Sequence, residues 1–257
     1  MWQNISSQDA GRDAGATWAI IPTMAQTLIH EVIPVGMLQC NCSILGDPET
    51  HEAIVVDPGD EVERIVEILT RHKLKVLAIV STHTHIDHVG GLAALHRITG
   101  APVFMHEADL ELYRKLDMQS QWLRVPTPEL TDVEQFLREG DSVKWGGYEA
   151  RVIHTPGHTP GSLCLYIPER RETKATDAAS PHAARGNGGE ESRLIAGDTL
   201  FAGSIGRTDL WGGSLAEIMK SLHTKVMALP DETLVLPGHG EATTIGEERQ
   251  SNPFLRK

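Results

Sequence analysis

The sequence predicts an α/β fold, and three observations predict it. Short β-rich runs alternate with segments of helical spacing from about Thr27 onward. The runs end at turn residues such as Gly46-Asp47-Pro48. The 257 residues, 40% of them hydrophobic, can bury one large α/β core or two small ones, and we read a single domain over 24–257.

Taken in order, Leu28 to Val35, Cys42 to Leu45 and Glu52 to Val56 read as strands. Asp60 to His72 reads as a helix, because Val62, Ile65, Val66 and Leu69 fall at helical spacing. Val76 to Ser81 is an apolar run of the kind a buried strand carries. Val89 to Thr99 reads as helix, Pro102 to Met105 as strand, and Ala108 to Leu116 as helix. Ala150 to His154, Leu163 to Ile167, Leu194 to Ala196 and Thr233 to Leu236 read as further strands, with a helix over Ser214 to Ala228. No internal repeat is evident.

Two segments break the pattern. Residues 1–23 have no period and are rich in Gly, Ala, Ser and Asp, which reads as a flexible extension; the hydrophobic pattern begins near Met24, an expected internal start. Residues 170–193 offer almost nothing to bury and read as a disordered insertion between two strands. His182 lies inside it, a poor place for a tight ligand.

Charge narrows the partners. Asp and Glu outnumber Lys and Arg by 35 to 23, a formal net charge of -12. Backbone phosphates attract basic surfaces, so nucleic acid is not expected, nor is an anionic membrane surface. No run approaches the roughly 20 apolar residues of a membrane helix. The start lacks the basic and long apolar regions of a signal peptide, and a cytoplasmic location is the expectation. Cys40, Cys42 and Cys164 are too few and of odd number for a disulfide framework, and read as small buried thiols.

The chemistry concentrates in Ser81-Thr82-His83-Thr84-His85-Ile86-Asp87-His88-Val89-Gly90-Gly91. Three imidazoles and a carboxylate fall between an apolar strand and a helix, where α/β folds place binding groups. Imidazole nitrogen and carboxylate oxygen suit zinc and similar divalent ions. Residues so close in the chain cannot all wrap one tetrahedral ion, but they can seed two neighbouring ones. Three later segments each deliver one ligand-type side chain at a Gly-bearing turn after an apolar strand. They are His158 in Thr155-Pro156-Gly157-His158-Thr159-Pro160-Gly161, Asp198 in Ala196-Gly197-Asp198-Thr199, and His239 in Pro237-Gly238-His239-Gly240.

This ordered set resembles the metallo-β-lactamase superfamily. HxHxDH, TPGHTPGS, AGDTLF and PGHG follow in its order, and VVDPGD with Asp57 matches its first motif. The similarity runs from about Leu28 to Leu255. GDTLFAGSIGRTDL and TTIGEERQSNPFL bring it nearest to short bacterial glyoxalase-II-like (hydroxyacylglutathione hydrolase-like) enzymes. The resemblance implies a four-layer αβ/βα sandwich with two divalent metal ions, zinc first and iron or manganese as alternatives. One ion would be held by His83, His85 and His158, the other by Asp87, His88 and His239, with Asp198 bridging. Asp57 would support the ligand loop from behind. His154 would be a supporting or packing residue, since the family uses the second histidine of such a stretch. Several true β-lactamases lack the bridging carboxylate, so antibiotic hydrolysis is not the expectation.

The implied reaction is hydrolysis of a small thioester such as S-lactoylglutathione by a metal-bound hydroxide, with Asp87 and Asp198 as catalytic carboxylates. Arg207 stands where glyoxalase II has a basic residue that contacts the glutathione portion. This chain departs from that enzyme at Asp209, where an aromatic residue is usual, and at Glu241, where a tyrosine is usual. The stretch after His239 is also too short for the helical domain that completes the glutathione pocket. A persulfide dioxygenase with one iron shares the fold and the HxHxDH set, and is the alternative. A lactonase or phosphodiesterase could use the same site, and a non-enzymatic metal binder would be expected to have lost ligands first. Oligomeric state is not readable from the sequence.

Overall fold

The computed structural model describes residues 27–169 and 191–256. The extension read at 1–23, the start expected at Met24, and the insertion up to residue 190, with His182, lie outside the described residues.

Pairing of the apolar runs builds two six-stranded sheets. In the first, β1 (Ile29–Val35), β2 (Cys40–Gly46) and β3 (Glu52–Val56) run antiparallel to their neighbours. β4 (Lys75–Val80), β5 (Val103–Met105) and β6 (Gln135–Phe136) then add in parallel to β3. Parallel neighbours need crossovers. These are α1 (Val62–Arg71) before β4, α2 (Ile86–Val89) and α3 (Leu92–Thr99) before β5, and α4 (Leu110–Tyr113) and α5 (Leu116–Leu123) before β6. β3 and β4 are covered on both faces, which is why their residues read as unbroken apolar runs.

The second sheet takes the other half of the chain. It contains β7 (Ser142–Trp145), β8 (Tyr148–His154), β9 (Leu163–Ile167) and β10 (Arg193–Gly197). A small ribbon of β11 (Leu200–Phe201) and β12 (Ser204–Ile205) stands apart, followed by α6 (Leu215–Thr224). β13 (Leu234–Pro237) pairs parallel to β10, β14 (Thr243–Thr244) closes the edge, and α7 (Ile245–Ser251) follows. The hydroxyls of Ser214 and Thr244 accept from the amides of Glu217 and Glu247 and cap α6 and α7.

Three apolar layers hold four layers of structure together. Ile65, Leu69, Leu92 and Leu95 of α1 and α3 pack on Ile44, Val55 and Ile79 of the first sheet. Between the sheets, Leu45, Ile54 and Val80 meet Trp145, Val152 and Leu165. Ile218 and Leu222 of α6 and Ile245 of α7 cover Ile153, Leu194 and Val235. The αβ/βα sandwich expected from the family resemblance is therefore present. Among the described residues no helix is long and apolar enough to cross a membrane. Cys40, Cys42 and Cys164 are buried free thiols.

Several elements differ from the sequence reading. The helix expected from Val89 starts at Ile86, stops at Gly90 and resumes at Leu92. The interruption has a cause: the Gly91 amide donates to the Pro58 carbonyl, and a Cβ on Gly90 would run into the carbonyl of Gly59. Strand β7, the extension of helix through α5, and α7 were not anticipated. The first alternates Val143 and Trp145 inward over only four residues, too brief a period to stand out. Arg193, assigned to the insertion, begins β10, and the hydroxyl of Ser192 meets that of Thr233 at 2.9 Å.

One buried carboxylate joins the halves. Asp109, in a turn before α4, accepts from the Thr84 amide (3.1 Å), the Thr159 hydroxyl (2.8 Å) and the Gly161 amide (2.6 Å). It thereby ties the loop after β4 to the turn after β8. Asp109→Ala would leave two buried amides without acceptors. A stability loss of about 3 kcal/mol is expected, read as a lower midpoint of chemical denaturation. A loss below about 1 kcal/mol, the scale of one ordinary hydrogen bond, would show that the tie does not hold the two loops together.

Candidate metal centre

All the ligand-type residues leave from strand ends on one edge of the sandwich. β4 feeds the loop carrying His83, His85, Asp87 and His88; β8 feeds the turn of His158; β10 ends at Asp198, and β13 at His239. The loops are stitched edge to edge. Leu163 donates to the Thr82 carbonyl (2.7 Å), Gly238 to the Gly197 carbonyl (2.8 Å) and Asn41 to the Gly238 carbonyl (2.7 Å). Gly238 has to be glycine here, since a Cβ would collide with Asp198 Oδ1 and the His88 ring.

Two nests of donor atoms result. In one, His158 Nε2 lies 3.2 Å from His83 Nε2 and 2.9 Å from His85 Nδ1, and the latter two are 3.1 Å apart. In the other, His239 Nε2 lies 3.3 Å from His88 Nε2 and 3.1 Å from Asp87 Oδ2. Asp198 spans them, with Oδ1 3.4 Å from His88 Nε2 and Oδ2 3.5 Å from His158 Nε2.

The far side of each ring decides what these close approaches mean. His158 Nδ1 faces the Arg207 carbonyl (2.7 Å) and His239 Nδ1 the Leu38 carbonyl (3.0 Å). A carbonyl only accepts, so both Nδ1 atoms carry the hydrogen. His88 Nδ1 faces Asp57 Oδ2 (3.0 Å). The Thr82 hydroxyl is committed to Asp57 (2.6 Å), so it accepts from His83 Nδ1 (3.2 Å). In the neutral rings the four Nε2 atoms are therefore bare lone pairs, aimed at one another in pairs. Lone pairs do not attract each other at this range; a cation between them resolves the arrangement. Asp198 Oδ1 and His85 Nε2 are buried without a hydrogen-bond partner. The donor set fits divalent metal.

The electrostatics of the first nest agree. Burial, then the neighbouring His88 and His158, hold His83 well below the usual histidine range. Burial and His158 lower His85 to about 3, and burial lowers His158. All three stay neutral, as a ligand must. Burial opposes charge on Asp87 and Asp198, yet His88 and the other imidazoles hold both carboxylates below their usual range. At His88 burial opposes the charged ring, but Cys40, Asp198, Asp57 and Asp87 outweigh it and raise the group well above the usual value. Burial likewise opposes charge on His239, which Asp87 and Asp198 raise, so this nest attracts positive charge, as a proton or as a metal ion.

The remaining expected residues fall at different distances from the cluster. Asp57 lies directly behind it, accepting also from the Thr82 amide (2.7 Å). His154 does not join either nest; its ring stacks on His106 at 4.0 Å and its Nε2 reaches the Pro160 carbonyl (2.9 Å), bracing the turn that carries His158. Arg207 lines the cavity, but its guanidinium is held by both oxygens of Asp209, at 2.8 and 2.9 Å. Sequence reasoning missed Asp109 and Gln119, whose amide group bonds the Ile86 amide (2.9 Å) and the Thr84 carbonyl (3.2 Å). Trp122 and Trp211, beside the cluster at a ring separation of 5.8 Å, were missed as well. None of these four carries a local signal, as each lies far from the histidines in the chain.

Asp57→Asn would remove the carboxylate that orients both Thr82 and His88. Zinc affinity is expected to fall by about 10–100-fold, measured by competition with a chromophoric chelator; an unchanged affinity would remove Asp57 from the supporting shell.

Comparison with known proteins places this architecture. A sequence profile of the metallo-beta-lactamase superfamily matches residues 35–181 and 170–239. Hydroxyacylglutathione hydrolase GloC of Haemophilus influenzae is 34% identical over 227 residues, 88% of this chain and 97% of that protein. Among solved structures, the di-iron-bound form of TTHA1623 is 35% identical with a TM-score of 0.70, covering 88% of this chain and 100% of the other. The B3 metallo-beta-lactamase BLEG-1 is 34% identical with a TM-score of 0.75, covering 89% and 100%. A profile match over most of the chain, on a sandwich whose strand ends gather these histidines and aspartates, makes the protein a member of the metallo-beta-lactamase superfamily of metal-dependent hydrolases.

Proposed function

We propose that the protein hydrolyses a small thioester at a two-metal site. The observation that carries this is the convergence of paired imidazole lone pairs with Asp198 between them. His83, His85 and His158 would hold one ion, Asp87, His88 and His239 the other, and Asp198 both. The chemistry such ions supply is a lowered water pKa and a polarised carbonyl. Zinc is the first choice; the di-iron form of the similar TTHA1623 keeps iron in view.

The chain's own groups support that chemistry in distinct ways. Asp87 and Asp198 stay ionised and balance the positive charge the site is built to hold. The Asp87 side chain is 17% exposed while that of His88 is fully sealed, so Asp87 is the member of that pair that faces the cavity. Asp57, Thr82 and the Leu38 and Arg207 carbonyls keep the rings from turning. The thioester reading draws on the full-length similarity to a hydroxyacylglutathione hydrolase. Similarity to BLEG-1 supports a second reading, opening of a β-lactam amide by the same residues.

The test is metal analysis of the purified protein, followed by hydrolysis of S-lactoylglutathione and of simple acyl thioesters, with nitrocefin alongside. Expected are about two metals per chain, turnover abolished by a chelator, and a loss beyond about 100-fold in His85→Ala, more than a supporting residue costs. Nitrocefin turnover without thioester turnover would move the assignment to the second reading. A single iron per chain with oxygen uptake on glutathione persulfide would replace both with a dioxygenase.

A further inference from the structure

Beside the metal-type cluster lies a second space whose chemistry the cluster does not use. The cavity at the cluster itself measures about 260 Å³, below the roughly 300 Å³ at which pockets begin to enclose a drug-sized ligand. It holds the reacting end of a substrate and little more. A neighbouring cavity of about 320 Å³ shares Leu38, Ile86, Asp87 and Leu123 with it. The walls of this neighbour are mostly apolar, with Met37, Leu38, Leu123, Val125, Pro126 and Pro128, and carry the polar side chains of Asp60, Asp87 and Thr127. Met37 is 67% and Leu38 43% exposed, so a chain with a net charge of -12 leaves apolar side chains open to water at the mouth of its site. These side chains give the cavity an apolar rim on which a ligand could bury surface.

Charge decides what kind of ligand fits. No lysine, arginine or histidine lines the larger cavity, and its charged walls are the carboxylates of Asp60 and Asp87. Arg207, the one arginine or lysine at the smaller cavity, is taken by Asp209. A glutathione group, with two carboxylates and one ammonium, finds repulsion in the first space, and in the second an arginine that it would share with Asp209. An uncharged hydrocarbon chain has apolar side chains to pack on there and, unlike glutathione, carries no charge for Asp60 and Asp87 to repel. At about 30 Å³ per methylene, the volume of one water, the cavity of about 320 Å³ sets an upper bound of roughly ten carbons, which accommodates a medium-length chain.

We propose that the cavity between Met37, Leu123 and Val125 is an acyl-chain subsite, and that the substrate class is a thioester of a medium-length apolar acid rather than a glutathione conjugate. The proposal rests on the thioesterase reading for its chemistry and on the two cavities for its selectivity. The carbonyl lies over the His83–Asp198 cluster, the chain runs past Leu38 and Ile86, and the thiol portion leaves past Trp122 and Trp211.

Two measurements on the full-length, metal-loaded protein test it. In the first, kcat/KM is compared for the acetyl, butyryl, hexanoyl and octanoyl thioesters of N-acetylcysteamine and for S-lactoylglutathione. A rise of about fourfold per buried methylene is expected until the cavity fills, with S-lactoylglutathione below hexanoyl. In the second, the uncleavable thioether S-octyl-N-acetylcysteamine and S-methylglutathione are titrated calorimetrically. The octyl compound is expected to bind and the glutathione compound not. Met37→Glu, at an exposed position, is expected to lower both octyl binding and the octanoyl-to-acetyl ratio by about tenfold, the order of losing one to two methylene contacts at the cavity wall. Chain-length-independent kcat/KM with no octyl binding overturns the subsite and leaves the thioesterase reading standing. Octyl binding that Met37→Glu weakens, without hydrolysis of any thioester, upholds the subsite and overturns the thioesterase reading.

Discussion

Everything at the strand-end edge depends on hydrogen bonds made behind the histidines. Four rings give their Nδ1 hydrogen to an acceptor: Thr82 for His83, Asp57 for His88, the Arg207 carbonyl for His158 and the Leu38 carbonyl for His239. Each bond fixes both a tautomer and a ring orientation. In neutral rings the result is a set of lone pairs closer together than imidazoles prefer, with His83 and His88 sealed from water and His239 at the cavity wall. A cation held among them, with the Asp87 and Asp198 carboxylates beside it, relieves that crowding. Two of the acceptors are backbone carbonyls, so the loops themselves, and not just their side chains, are part of the centre.

The sandwich supplies the rigidity this needs. Two sheets pack face to face through Leu45, Ile54 and Val80 against Trp145, Val152 and Leu165, and the strands that carry ligand-type residues end at one edge. Cross-links then remove the freedom left in the loops. Asp109 holds the His83 loop to the His158 turn, Gln119 holds it to α5, and the Asn41 side chain donates to the Pro237 and Gly240 carbonyls on either side of His239. These ties come from both halves of the chain, so neither sheet could carry the centre alone. The same loops leave open the apolar space next to Met37 and Leu38, which puts selectivity and chemistry on adjacent walls.

Much of the fold was legible because burial imposes period. β3 and β9 were read with their observed ends, since Glu52–Val56 and Leu163–Ile167 are apolar runs bounded by turns. α1 was read because Val62, Ile65 and Leu69 fall on one face. The misses share a cause as well. β6, β11, β12 and β14 are two residues each, too short to show any period. The break between α2 and α3 answers to Pro58 and Gly59, which lie about thirty positions earlier in the chain and reach it only through folding.

By itself, the sequence determined which donor atoms are available and in what order, because each one is announced locally by an apolar run and a glycine turn. It also marked Asp57 as a support, through the family motif. Tertiary structure alone decided how the donors pair, which nitrogen of each ring faces inward, that Arg207 is spent on Asp209, that His154 stacks on His106, and that an apolar cavity adjoins the site. The physical reason is range. A strand or a turn is set by neighbours a few residues apart, whereas a tautomer, an ion pair or a cavity wall is set by groups that meet only once both sheets have packed.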